Sequence, residues 1–171
     1  MSAVSATAQG ASVVLLTELE RSEVDDLLAG YRATLAVVAP NDSIPGSYWR
    51  DSEAGLVGNC VYVRADTPAH SLLHELCHYI CMTAERRATL ATDAGGSDEE
   101  ECGVCYLQVL LAQRFRGFGA ERCLSDMDAW GYSFREGSAR AWFAGDGVHA
   151  REWLLEHGLI DAQQRATLTL R

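Results

Sequence analysis

The run Leu72-Leu73-His74-Glu75-Leu76-Cys77-His78-Tyr79-Ile80 limits the folding choices of this chain more than any other stretch. Leu72, Leu73, Leu76, Cys77 and Ile80 recur at helical spacing, so the segment reads as a helix that has to be buried. His74 and His78 ride on it one turn apart, roughly 6 Å along the axis and on one face, which lets both imidazoles reach a single cation. Glu75 is rotated about 100° from His74 and stands beside that cation, where a carboxylate can act as a base toward water held there. The spelling is HExxH; the plain alternative is two satisfied histidines on a core helix. His70 extends the row, but roughly 12 Å separates it from His78, too far to share one ion, so a supporting or surface place is expected for it.

The rest of the chain organises around this helix. Residues 1–12 are small and polar and read as a flexible lead-in, leaving 13–171 as a single domain. Val24, Leu27, Leu28, Tyr31, Leu35 and Val38 suggest one amphipathic helix from Ser22 to the residues before Pro40. Asn41 to Ser47, with its Pro-Gly pair, reads as a turn region, and Asn59 to Arg64 as a short strand. Asp66-Thr67-Pro68 opens the HExxH helix with a capping residue and then proline at the first helical position. Such a strand is where a zinc protease keeps an edge for an extended peptide to pair with. Ser97-Asp98-Glu99-Glu100 matches a capping box for a helix running to about Arg114, and two or three short helices separated by Gly131, Gly137, Gly145 and Gly158 complete the chain. The expected class is α+β and mostly helical, with a short sheet packed on the HExxH helix.

HELCH followed after 22 residues by a glutamate that opens an apolar helix resembles the gluzincin division of the zincin metalloproteases. A metzincin has glycine at the place of Cys81 and histidine at that of Ala84. The run Glu101 to Leu110 is similar to the third-ligand helix of small bacterial ImmA/IrrE-like gluzincins and to short bacterial HExxH proteins with no assigned role. The resemblance covers about Asn59 to Leu111. It implies a minimal zincin-like domain, a zinc ion on His74, His78 and a glutamate, and hydrolysis of an amide with Glu75 as general base. Glu99, Glu100 and Glu101 compete for the third position. With Ser97 as cap, Glu100 folds back to the cap N–H, whereas Glu101 shares an inward face with Cys105 and Gln108. Glu101 is the expected ligand and Glu100 the reserve; Glu99 suits the helix dipole.

HxxxH and the CxxC pair Cys102 and Cys105 can also combine into a structural Cys2His2 site, which makes a non-catalytic zinc-binding regulatory or interaction module the alternative. That reading needs both thiols accessible, and the pattern puts them inside a helix. A gluzincin also needs an oxyanion stabiliser. In the glycine-broken stretch Asp128 to Arg135, Tyr132 is the first candidate and Arg135 the next. His149 and His157 read as surface helix.

A net charge of −10 disfavours nucleic acid and anionic membrane surfaces as partners and favours basic peptide segments or substrate amines. No apolar run approaches the roughly 20 residues of a membrane span, and no leader pattern opens the chain. The six cysteines fall within apolar or helical patterns and read mostly as reduced, packed thiols. The expectation is a cytoplasmic zinc peptidase acting on peptide or protein.

Overall fold

The computed structural model describes residues 12–47, 52–91 and 93–171. The lead-in expected for residues 1–12 thus lies almost wholly outside the described residues. Among the described residues, seven α-helices and one three-stranded sheet make an α+β fold, mostly helical: α1 Arg21–Gly30, β1 Thr34–Val37, β2 Gly55–Val57, β3 Cys60–Val63, α2 Ala69–Cys81, α3 Ala84–Thr89, α4 Asp98–Ala112, α5 Gly119–Trp130, α6 Ala139–Ala144 and α7 Gly147–Glu156. None of these helices is long and apolar enough to cross a membrane.

The helix expected from Ser22 to Val38 is really α1 followed by β1. Val24, Leu27 and Leu28 do face the core at helical spacing. Beyond Gly30 the chain turns back at Arg32, which takes a left-handed φ of 56°. Thr34 to Val37 then pair in parallel with Cys60 to Val63. Leu35 and Val38 fit either period, and the hydrogen bonds offered by β3 decide between them.

The sheet order is β1-β3-β2, with β2 antiparallel to β3. The strand preceding the HExxH helix is therefore the central one, hydrogen-bonded on both sides, and the substrate-pairing edge expected there does not exist. The outer side of β2 is crossed closely by the 45–47 segment. A Cβ on Gly55 would fall 2.0 Å from the Pro45 carbonyl oxygen, and one on Gly46 2.7 Å from the Leu56 oxygen. Only glycines allow two backbones this close.

α2 packs on β2, β3 and above all α4. Its N-cap is Pro68, one residue later than expected. Thr67 turns its hydroxyl to the Arg64 N–H, and the first helical N–H, that of Ala69, donates to the Val14 carbonyl at 2.8 Å. The N-terminal segment thus supplies what a capping side chain otherwise would. α2 is buried at every position except His74 and Glu75. Burying a Leu or Ile side chain contributes about 1.5–3 kcal/mol. Leu72, Leu73, Leu76 and Ile80, all at 0 % exposure, therefore fix the rotation of the helix and confine its window to His74 and Glu75.

α4 starts at the Ser97 cap, whose hydroxyl accepts from the Glu100 N–H. The reciprocal half of the capping box is missing. Instead of folding back, Glu100 is buried and accepts hydrogen bonds from Arg86 at 2.7 and 2.8 Å and from Arg171 at 3.0 Å. Two guanidinium groups outcompete one backbone N–H for a carboxylate. At the next turn Gly103 lets the Trp153 ring of α7 come close to the helix, where a Cβ would be 2.7 Å from the indole. All six cysteines are free thiols, four of them buried, in keeping with the packing role expected of most of them.

Candidate metal centre

α2 and α4 run in opposite directions, so His78 lies level with Glu101 and His74 level with both Glu101 and Gln108. His74 Nε2 and His78 Nε2 are 3.0 Å apart. The Glu101 carboxylate spans the pair, Oε1 at 3.3 Å from His74 Nε2 and Oε2 at 3.6 Å from His78 Nε2. Ligands 2.0–2.1 Å from a tetrahedral zinc stand about 3.3 Å from one another. The three donors therefore fit a zinc ion as they lie. Glu101 lies against both histidines, while Glu100 is committed to its two arginines.

The charges follow from the crowding. Burial works against ionisation of Glu101, yet the hydrogen bond and charge of His74, with His78 behind it, hold its carboxyl down to about 2. Burial also works against a charge on His74, but Tyr132, Cys105 and Glu101 outweigh it and hold the imidazole well above its ordinary value. Tyr132 is itself held neutral by burial, so Glu101 is the anion that matters. His78, buried and beside His74, is pushed down to about 3 and stays neutral. One proton at His74 is shared among donors that a cation at their meeting point satisfies together.

Glu75 occupies the window beside them. Burial, then Glu53 and Glu101, push its carboxyl up to about 7 while His74 pulls the other way. A carboxylate poised near neutrality can both take and return a proton.

Around this centre, His74 is held at its other nitrogen. Its Nδ1 is 2.7 Å from Gln108 Oε1, and Gln108 is wholly buried. Cys105 lies between Glu101 and Gln108 on the same helical face, with its sulfur within 4.8 Å of donor atoms of His74 and Glu101. Cys102 joins no such group among the described residues. Burial pushes the thiols of Cys77, Cys81 and Cys123 up, as suits packed, unreactive groups. The proximity of Gln108 and Cys105 was foreshadowed by their spacing from Glu101, seven and four residues on; the contact of Gln108 with His74 was not.

Tyr132 arrives from the turn after α5, which Gly131 ends at a φ of 99°. Its ring meets His74 edge-on at 5.7 Å and His70 at 5.6 Å, and its hydroxyl lies 3.4 Å from His70 Nδ1. Arg135, the second oxyanion candidate, is bound to Asp146 at the surface, its side chain 88 % exposed. His149 is likewise exposed, and His157 Nδ1 meets the Trp153 carbonyl of its own helix.

His70 is not at the surface: it is fully buried against Trp130 and Tyr132. Burial, then the charge of His74, pushes it down to about 3. The unfolded chain binds this proton near pH 6.5 and the folded one does not, so stability is complete above pH 6.5 and falls as pH drops toward 3. His70→Gln removes one proton from that difference. Its stability curve is expected to be flatter than the wild type's by about 1.4 kcal/mol per pH unit between roughly pH 6 and 4. Denaturant titrations of both proteins at several pH values measure this; parallel curves would show that His70 takes up its proton in the folded state.

Comparison with protein-family models, with curated proteins and with solved structures finds no match to this chain.

Proposed function

We propose that this protein is a zinc-dependent hydrolase, a small cytoplasmic metallopeptidase, in which His74, His78 and Glu101 hold the ion and Glu75 is the general base. The observation that carries the reading is the convergence of two imidazole nitrogens and one carboxylate at 3.0, 3.3 and 3.6 Å beside the single opening on α2. Bound zinc supplies Lewis acidity, polarising a carbonyl and making water more acidic. Glu75 takes the proton of the attacking water and returns it to the leaving amine. The half-buried surroundings of Glu75 keep its proton affinity near the value this exchange requires. Tyr132 supports His74 from the side: its hydroxyl faces His70, so holding the ring suits it better than meeting the substrate oxyanion. The free thiols agree with a reducing compartment.

A second reading comes from Cys105. A sulfur this close to His74 and Glu101 can join them as a ligand, and a site closed in this way binds zinc without turnover. Zinc analysis separates the two. Purified wild type is expected to carry one zinc per chain, and His74→Ala, His78→Ala and Glu101→Ala to lose it. The pair Cys102→Ser with Cys105→Ser is expected to keep the metal, and chelation to abolish peptide cleavage reversibly. Undiminished zinc in His74→Ala would remove the site altogether; loss of zinc in the cysteine double variant would favour the closed one.

A further inference from the structure

A histidine can offer a metal either nitrogen, and which one it offers is set by what the other is bonded to. His74 has both nitrogens engaged: Nε2 faces Glu101 of α4 and His78 of its own helix, and Nδ1 faces Gln108 Oε1 of α4 at 2.7 Å. An amide oxygen only accepts, so this contact requires a proton on Nδ1, and it is at Nε2 that a cation takes the place of the ring's second proton.

The orientation of the amide sets the tautomer of the ring. Rotated by half a turn, Gln108 would present its NH2 to Nδ1, which would then have to accept, and the ring's remaining proton would move to Nε2 and block the donor cluster. The groups near the amide nitrogen, Cys123 and Tyr132, can both accept a hydrogen bond, though neither reaches full hydrogen-bond geometry. At 0 % exposure Gln108 has no water to compete for its oxygen. A buried glutamine is costly unless bonded, since an unpaired buried amide loses about 1–3 kcal/mol. The bond to His74 offsets part of that cost.

We propose that Gln108 is the positioning residue of the metal centre, fixing the Nδ1–H form of His74 so that Nε2 is the ligand atom. This rests on the zinc reading above. His78 lacks such support: its Nδ1 is buried with no partner among the described residues. The alignment of the centre therefore depends on His74 and Gln108.

The test uses the full-length protein and zinc. Gln108→Met keeps length and apolar fit but removes the acceptor; Gln108→Glu restores an acceptor at the same reach. Zinc affinity, measured by competition with a chromogenic chelator, is expected to fall 10–100-fold in Gln108→Met and to recover in Gln108→Glu. In the zinc-loaded wild type, nitrogen NMR is expected to show His74 with metal on Nε2 and a slowly exchanging proton on Nδ1, a proton that exchanges fast in Gln108→Met. Thermal melting of the metal-free proteins checks that both variants fold. If Gln108→Met is unfolded, the wild-type nitrogen spectrum decides alone. Equal zinc affinity in wild type and a folded Gln108→Met, or zinc on His74 Nδ1, would overturn the positioning role and leave the metal site standing. A wild type that binds no zinc would overturn the site and this inference with it.

Discussion

Glu75→Gln is expected to fold, to bind zinc as the wild type does, and to lose roughly 10²–10⁴-fold in the rate of peptide cleavage, the usual contribution of general acid–base catalysis. Glutamine keeps the size and much of the hydrogen bonding of glutamate but cannot accept the proton. His74, His78 and Glu101 contact one another without the help of Glu75, so the metal should be unaffected. Burial already disfavours the charge on Glu75, whose carboxyl is pushed up to about 7; the neutral amide should therefore not destabilise the fold. Side-by-side measurement of zinc content, melting temperature and cleavage of unstructured peptides reads all three quantities. A variant that cleaves as fast as wild type, or a wild type that cleaves nothing across a broad peptide library, would sink the peptidase reading while sparing the metal site.

The largest expected effect on stability belongs to Glu100. Its carboxylate, with only 4 % of the side chain exposed, is bound by Arg86 and Arg171. Arg171 also donates its N–H to the Ile80 carbonyl and its guanidinium to that of Cys81, while Arg87 donates to the Arg171 oxygen. One carboxylate thereby ties the last turn of α2, the start of α3, the first turn of α4 and the end of the described chain together. Glu100→Ala leaves two guanidinium groups facing each other without an anion. Removing one partner of a buried ion pair costs about 3–5 kcal/mol. Because Arg86 is 37 % exposed and can rehydrate, the lower end, about 3 kcal/mol, is the expected loss. For a domain of this size that lowers the melting temperature by about 6–12 °C. Zinc content should survive in Glu100→Ala at temperatures where it is folded, in contrast to Glu101→Ala. A Glu100→Ala variant that melts with the wild type would show that the arginines find other partners.

Much of the centre could be read from spacing alone. A four-residue interval on a buried helix leaves His74 and His78 no choice but to share a face, and Leu72, Leu73, Leu76 and Ile80 determine which way that face turns. Ser97 announced where α4 begins, and the start of a helix decides that Glu101 points with Cys105 and Gln108. These are consequences of the 3.6-residue period, which acts over a few residues and requires no partner.

What the sequence could not settle were the matters decided by groups distant along the chain. Glu100 was expected to close the capping box and instead meets Arg86 and Arg171, because two distant cations bind a carboxylate better than one local N–H does. Leu35 and Val38 fitted a helix until β3 offered a parallel partner. β3 looked available for a peptide until β1 and β2 flanked it. Local periodicity specifies a helix and the face it shows, while hydrogen-bond and charge partners tens of residues away decide strand order, the pairing of buried ions and, through Gln108, which nitrogen of His74 looks into the site.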